Sequence, residues 1–486
     1  MKNFDMIFVH PPRNFEYLLS NIKVRSAYVM MPMGLFGMCD LLGREGLSAK
    51  IINYPLEKIL DLKFSLIKHL KKVNFKVLGV DLHWVLHSAG ALDILKLVKK
   101  YFPNCFTVMG GYSVTYFANE IISDYEFIDG IIQGDAEKPL VELLRNLDSL
   151  DNVPNLIYRN KENGKIVDNK ISYIAQELDF MNFAKVKYLD HWKEYINYNY
   201  EIMHFPWPVE MARGCIYNCV NCGGCSHSCK VISNRHEVVF RSPERVVDDL
   251  KQFLELSDVK GVFYGHGLYP KTEDYFLEIH KLIREEKLDI HADLEVWRLP
   301  FNKKFAQDFA KTYILDKSLV WFSIRSFSES YRKKYHKYFG NFDNAFNFSN
   351  KDVEKMIDNT KAYNIPFRLF WDVGNPYETG LDLLFNVLTA LKILVKNISK
   401  RNKVSMWSEP INISPGCPVE LYSENFGVHM FVKNFKEYVE LNRKSKMLLP
   451  PMDVTVNYRT NYLTRAGINL MNKAMTLINL VSVIMG

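Results

Sequence analysis

Apolar residues in this chain come in short blocks, and the spacing of those blocks switches between two periods. Over residues 1–150, continuous apolar runs at Asp5–Val9, Ala49–Asn53, Val77–Leu82, Phe106–Met109 and Ile128–Ile132 predict buried strands. Between them a 3.6-residue period predicts helices at Gly34–Glu45, Leu56–Lys71, 88–101 and Pro139–Leu147. Strands alternating with helices predict a parallel, doubly wound sheet of flavodoxin or Rossmann type, which binds ligands beyond the carboxyl ends of its strands. Residues 151–205, with Val153-Pro-Asn and Asn160-Lys-Glu-Asn-Gly, predict a linking arm with a β-hairpin. The alternation resumes over 206–418. Strands are predicted at Gly261–Tyr264, Asp289–Val296, Leu319–Arg325, Phe367–Val373 and Val404–Ile413. The intervening helices are Pro243–Leu256 (capped by Ser242), Tyr275–Glu286, Lys304–Thr312, Ser349–Tyr363 and Leu381–Val395. Residues 419–486 form a mainly helical extension. Its last helix, Ala466–Met485, carries Asn469, Lys473, Thr476, Asn479 and Ser482 as a narrow polar stripe. Docking on the preceding domain is the plain reading of that helix; shallow membrane contact or cover over a greasy channel is the alternative.

Composition narrows the class. A chain of 486 residues with 48% apolar content has room for two or three cored domains. Its net charge of +7 is mild, and no dense Lys/Arg run with interleaved aromatics points to nucleic acid. No apolar run reaches the ~20 residues of a spanning helix. The opening Met1-Lys-Asn-Phe lacks a signal-peptide pattern. Eight cysteines, most of them clustered, suit a reducing compartment, so a cytoplasmic location is expected.

Five of those eight cysteines fall in residues 215–229, and Cys215, Cys219 and Cys222 have the spacing C-x3-C-x2-C. Three thiolates on one short loop can ligate three irons of a [4Fe–4S] cube and leave the fourth open. A zinc knuckle or a four-thiolate structural cluster using Cys225 or Cys229 is the alternative, and a disulfide framework belongs mainly to short secreted chains. Arg213-Gly214 precedes the loop and Gly223-Gly224 follows it, so backbone N–H groups can approach sulfur or a carboxylate.

This loop resembles the signature of the radical S-adenosylmethionine (SAM) superfamily. The resemblance implies that SAM chelates the open iron and is cleaved to a 5′-deoxyadenosyl radical, with electrons from a donor of flavodoxin or ferredoxin type. Asn221 departs from the aromatic usual before the third cysteine. The βα units of 206–418 resemble the family's partial (β/α)6 barrel, with sites at the strand ends. By that likeness, Tyr264-Gly265-His266 stands where a Gly-Gly-Glu-like turn meets the methionine moiety. Asp293, Glu295 and Arg298 are candidates for the ribose or carboxylate of SAM. Arg325 stands where an acid is usual, which suggests a partner for a carboxylate. Gly374-Asn-Pro-Tyr-Glu378-Thr379 matches a family turn.

The first 150 residues resemble the cobalamin-binding domain fused to many radical SAM enzymes. The likeness rests on Pro11 and Arg13 after the first strand, Pro32-Met33-Gly34, Gly110-Gly111-Tyr112 and Gly134-Asp-Ala-Glu137. Paired glycines would let a corrin or its nucleotide tail lie against bare backbone; each is otherwise an ordinary tight turn. The Asp-x-His-x-x-Gly motif that supplies a lower axial histidine is absent. The loop with His83, Trp84 and His87 is the place for side chains beneath cobalt, with Trp84 filling that space and no protein nitrogen coordinating. Methylthiotransferases share the cysteine loop, but only Cys39 and Cys105 precede residue 215, too few for their second cluster. The expectation is therefore a 1–150 cobalamin domain, a 151–205 arm, a 206–418 radical SAM barrel and a 419–486 extension. The activity implied is methyl transfer from SAM, by way of methylcobalamin, to an unactivated carbon or phosphorus of a small molecule or peptide. A cobalamin-dependent cyclase or rearrangement enzyme, or a non-catalytic cobalamin or redox sensor, is the other reading.

Overall fold

The computed structural model describes residues 1–13, 29–202, 205–297, 301–339, 348–397, 403–444 and 456–485. The chain is α/β throughout and divides into two units.

The first unit comprises 1–202, 228–237 and 432–453. Its strands are β1 (Lys2–His10), β2 (Ala49–Asn53), β3 (Val73–Asp81), β4 (Phe106–Gly110), β5 (Gly130–Ile132), β6 (Leu156–Arg159) and β7 (Ile166–Asp168), in the sheet order β2-β1-β3-β4-β5-β6-β7. The pairs among β1 to β5 are parallel, and β6 and β7 add as an antiparallel hairpin. That hairpin is the one expected in the arm, and it extends this sheet. Strand interiors such as Ile7, Val9, Leu78, Val80, Met109 and Ile131 are dry, because helices cover both faces.

Two details depart from the sequence pattern. The single helix expected over Leu56–Lys71 is two, Tyr54–Leu60 and Leu66–Leu70. Asp61 leaves helical geometry at φ −140° and its carboxylate takes the Lys63 N–H, after which Ser65 caps the second helix. Within the expected C-terminal extension, the helix Phe435–Lys444 belongs to this first unit. Phe435, Tyr438 and Val439 enter its core, and the Asn442 amide donates to Val85 O at 2.8 Å.

The second unit comprises 203–227, 238–431 and 454–486. Strands β8 (Trp207–Val209), β11 (Gly261–Tyr264), β12 (His291–Val296), β13 (Leu319–Arg325), β14 (Phe367–Val373) and β15 (Val404–Pro410) form an open parallel sheet in the order β15-β14-β13-β12-β11-β8. The short pair β9 (Ala212–Arg213) and β10 (Val239–Phe240) lies apart from it, as does the hairpin of β16 (Val428–Met430) with β17 (Tyr458–Thr460). Helices alternate with the main strands, which gives the six βα repeats of an open barrel. Ser242 caps its helix as expected, accepting from Arg245 N–H at 3.2 Å. Strands β12, β13 and β14 alternate. Residues such as Leu294, Phe322, Leu369 and Trp371 are buried, while Asp293, Glu295, Trp321, Arg368 and Phe370 share the half-open face.

The C-terminal helix Arg465–Met485 docks with Asn479 and Ser482 of its polar stripe inward, while Lys473 stays exposed. Asn479 accepts from the Ser408 N–H at 2.9 Å and donates to the Ser408 carbonyl at 2.8 Å, and Ser482 makes the same double contact with Met406. These two side chains thereby satisfy the outer edge of β15, which no further strand covers among the described residues. Among the described residues, no helix is long and apolar enough to cross a membrane.

Candidate functional site

The cysteine loop folds onto itself before anything else holds it. Cys222 N–H bonds to Cys219 O at 3.1 Å, Cys225 N–H to Cys222 O at 3.3 Å, and Ser226 N–H to Tyr217 O at 2.8 Å. The Tyr217 N–H points at Cys215 Sγ, 3.4 Å away. Cys215 and Cys219 are half-buried, whereas Cys222 keeps an open surface. A Cβ built on Gly224 would lie 3.8 Å from Cys222 Sγ, and one on Gly223 would lie 2.9 Å from the Ser414 side chain. The first glycine leaves space by the sulfur; the second lets the loop seat on the turn after β15. All eight cysteines are free thiols, so no disulfide framework forms. Cys225 is buried with Cys417 as a neighbour, and Cys229 lies in the first unit with its sulfur 4.0 Å from the Tyr112 hydroxyl.

The two departures from the expected motif meet each other. Arg325 donates to Asn221 Oδ1 at 2.9 Å and to Asn375 Oδ1 at 2.9 Å, and lies 3.5 Å from the Asp372 carboxylate. Its backbone sits at φ +62°, a left-handed geometry that costs a non-glycine residue energy, at the register shift closing β13. Asn221 also donates to Asn412 O at 3.3 Å, and its own carbonyl takes the Ser414 N–H. An arginine in place of an acid is thus matched by an amide in place of an aromatic, and the pair ties the cysteine loop to the ends of β13 and β14.

The other strand ends differ in kind. Glu295 accepts from Ser323 Oγ at 2.7 Å and from Trp297 Nε1 at 3.0 Å, so its carboxylate is fixed on the half-open face. His266 lies among Phe240, Tyr269 and Trp297, and burial pulls its imidazole down to about 4, which keeps it neutral. Tyr264 turns into the core, its hydroxyl 2.6 Å from that of Tyr313, so at this strand end it is a packing residue. Gly265 lies close to the Val209 carbonyl, and Gly267 lies under the Trp297 indole. At Gly374, φ is +80°, and a Cβ would meet the Tyr458 hydroxyl at 2.6 Å. The Glu378 carboxylate takes the Gly374 and Asn375 N–H groups at 2.8 and 3.1 Å, so this turn holds its own backbone. Arg298 lies outside the described residues.

Beside Asp293, which the family likeness already singles out, alternation along the strands brings in residues that motif matching passes over. Asp293, Trp321, Arg368, Asp372, Trp407 and Glu409 share the half-open face. Burial pushes Asp293 up to about 7 against the pull of Arg368, and burial with Asp372 nearby pushes Glu409 up to about 7. Tyr217, Tyr269 and Trp297 form an aromatic group beside the cysteine loop, with the last two rings parallel at 6.0 Å.

In the first unit the carboxyl ends of β1, β3 and β4 converge. His10 Nδ1 lies 3.0 Å from Asp81 Oδ2, and its ring centre is 5.0 Å from that of His87. His87 donates from Nδ1 to Pro11 O at 2.8 Å, and burial, then His10, hold it neutral. Arg13 is buried, its carbonyl taking the Gly90 N–H. His83 is exposed and stands edge-on to the half-buried Trp84, with Tyr112 on its other side. Ser113 holds that loop by donating from its hydroxyl to His83 O at 2.9 Å. The two glycines after β4 differ. Gly111 sits at φ +117°, and a Cβ there would come within 2.7 Å of the Leu82 carbonyl carbon. At Gly110 the nearest atom to an added Cβ is 4.0 Å away. Gly34 likewise faces open space, while Met33 and Glu137 are buried. Gly134, at φ +67°, gives its N–H to Thr115 Oγ1 at 2.9 Å.

Residues 21–144 match the family model of the B12 binding domain. An uncharacterized methyltransferase of Pyrococcus horikoshii is 27% identical over 63% of this chain and 63% of its own length. The hopanoid C-3 methylase of Methylococcus capsulatus is 22% identical over 49% of this chain and 44% of its own length. The chain thus spans less than two thirds of the length of these curated relatives. Among solved structures, the radical SAM methyltransferase TsrM from Kitasatospora setae, with tryptophan and a SAM analogue bound, superposes with a TM-score of 0.68. That match covers 99% of this chain and 89% of the other at 12% identity. The cobalamin-dependent radical SAM enzyme OxsB, with aqua-cobalamin and SAM bound, gives a TM-score of 0.57 over 90% of this chain and 56% of the other at 15% identity. At such identities the likeness establishes a shared fold.

Proposed function

Because this chain carries a B12-binding domain and has the fold of the cobalamin-dependent radical SAM enzymes, we propose that it transfers a methyl group from SAM to an unactivated carbon or phosphorus of a small molecule or peptide. The observation that carries the reading is the joining, in one chain, of a B12-binding domain to an open βα barrel bearing the C-x3-C-x2-C loop. When bound, the [4Fe–4S] cluster and SAM supply a carbon-centred radical and cobalamin supplies the methyl carrier; cofactors bring the hard chemistry and the protein places it.

The thiols suit such a cluster. In a cube each thiolate takes a different iron, so the sulfurs must surround a space and need not meet. Cys215, Cys219 and Cys222 would be the ligands, steadied by Asn221 and Arg325. Glu295, held by two donors, can accept from hydroxyls of a bound nucleoside. Asp293 and Glu409 stand near neutrality and can hold or release a proton where a substrate lies against the half-open face. In the first unit, Gly110 gives a flat ring access to backbone. His87 is committed to Pro11 O, so Trp84 and the exposed His83 beside it would be the side chains of this loop that face a bound corrin. An electron donor of flavodoxin or ferredoxin type completes the scheme.

The test uses reconstituted full chain, SAM labelled in its methyl group, and a metabolite extract as substrate source. The label should move to a new product with both S-adenosylhomocysteine and 5′-deoxyadenosine formed. Deoxyadenosine and a rearranged product without label or S-adenosylhomocysteine would instead identify a cyclase. No SAM turnover under reduction would leave a sensor.

A further inference from the structure

The helix Gly380–Asn397 has two apolar faces. One is buried: Leu383, Asn386, Ala390, Leu394 and Asn397 pack into the second unit. Asn386 fixes its rotation, taking the Phe327 N–H at 2.7 Å and the Ser326 hydroxyl at 2.9 Å while donating to Glu378 at 3.2 Å. Thr379 caps its start through Asp382. The helix therefore cannot turn its other face inward. That face carries Leu381, Leu384, Phe385, Leu388, Leu391 and Val395, exposed by 79, 55, 48, 58, 43 and 68%. Apart from Phe385 their spacing is 3, 4, 3, 4, the seam of a coiled coil, held over about four turns. Monomers rarely expose so continuous an apolar strip.

The seam is also nearly symmetric about its centre. Counted outward from Leu388, Leu381 mirrors Val395, Phe385 mirrors Leu391 and Leu384 mirrors Lys392, whose stem is apolar. A two-fold axis through Leu388 would lay two antiparallel copies together with apolar on apolar. It would also set each Phe385 ring against Leu391 of the second copy, with the Lys392 ammonium one residue further along and within reach of that ring, a favourable neighbour. A parallel pairing would put Lys392 against Lys392. No acid is exposed on this helix, and its other exposed cation, Lys396, lies 3.7 Å from Glu354 of its own chain. A two-fold contact must be self-complementary, and this strip is so only in the antiparallel sense. The helix is already folded, so association does not have to order it. We propose that this helix is the contact of an antiparallel homodimer, two copies meeting along Leu381–Val395 with Leu388 on the axis.

Sedimentation of the holoenzyme between 1 and 100 µM, a range chosen on the order of typical dimer affinities, should give a mass of twice 56.8 kDa. Leu388→Glu, at an exposed position, should return the single-chain mass with unchanged circular dichroism and cofactor absorbance. A Leu388→Cys variant should cross-link to itself through a short bismaleimide, beyond the wild-type background. Leu381→Cys should cross-link only when Val395→Cys is present. A wild type that stays monomeric throughout, a dimer indifferent to Leu388→Glu, or self-linking by Leu381→Cys alone would overturn the proposal. So would a monomer whose Leu388→Glu variant loses binding to phosphatidylglycerol vesicles, which would make the strip a membrane contact.

Discussion

The two main sheets of this protein bury their parallel strands differently. In β1 and β4 the burial is continuous, because helices cover both faces of a doubly wound sheet. In β12, β13 and β14 burial alternates residue by residue, one face dry and the other half-open. The first sheet can offer a ligand only the ends of its strands, where open backbone at Gly110 lies near a cluster of neutral and aromatic side chains that includes His83, Trp84 and His87. The second offers ends and a face, and furnishes both with charge. Where a sheet has no wet face, recognition falls to steric room; where it has one, it falls to placed side chains.

The largest effect expected lies at the second site. Cys219→Ala should lower iron from about four per chain to less than one and abolish the cluster's visible absorption together with SAM cleavage. Iron retained by that variant but lost from Cys225→Ala or Cys229→Ala would reassign the ligands. The steric character of the first site is tested by two neighbouring glycines. Gly111→Val forces a β-branched residue to φ +117° with its Cβ against the Leu82 carbonyl, so it should cost about 3 kcal/mol in stability. Gly110→Val has room in the protein, so it should fold normally and weaken hydroxocobalamin binding at least about tenfold, some 1.4 kcal/mol. Equal destabilisation by both would mean that the strand end reserves no space for a ligand.

The same contrast explains what could be seen in advance. Both sheets were legible because apolar blocks separated by helical periods leave few topologies. The glycine pairs were visible as residues, yet nothing in the sequence says that Gly111 is confined by its own chain while Gly110 is not. That difference arises when β3 and β4 are brought side by side. The helix expected from Leu56 to Lys71 broke because Asp61 and Ser65 compete for backbone N–H groups, a local signal outweighed by the period around it. Phe435–Lys444 was placed with its sequence neighbours because an amphipathic helix does not announce which core it joins. In the barrel, Arg368, Asp372 and Glu409 were available from the alternation of Phe-Arg-Leu-Phe-Trp-Asp-Val and Met-Trp-Ser-Glu-Pro. Arg325 and Asn221 looked like two separate departures until folding placed them 2.9 Å apart.

That pairing gives a smaller, sharper test. Arg325→Met leaves Asp372 without its cation and should cost about 2 kcal/mol, while Asn221→Ala should cost about 1. Measured as a double-mutant cycle by denaturation, the two should couple by about 1 kcal/mol. Additive losses would show that the amide and the guanidinium do not act together in holding the loop.

The smallest effect expected comes from protons on the half-open face. Glu409 is raised from its ordinary value to about 7 by burial and then by Asp372. A carboxyl raised in the folded state binds a proton there that the unfolded chain has already released. The folded unit therefore carries the extra proton between the ordinary carboxylate range and about pH 7, and its stability falls as pH rises across that window. Above about pH 7 the loss is complete and the curve flattens. Glu409 is partly open to solvent, so screening reduces the effect to about 1 kcal/mol. Five of the seven tryptophans (Trp207, Trp297, Trp321, Trp371 and Trp407) lie in the second unit, so their fluorescence follows its unfolding. Urea midpoints should fall between pH 5 and pH 7.5 in the wild type and fall less in Glu409→Gln, which cannot ionise. An unchanged slope in the variant would move the titration to Asp293, raised to about 7 with only Arg368 opposing, and Asp293→Asn would then flatten it.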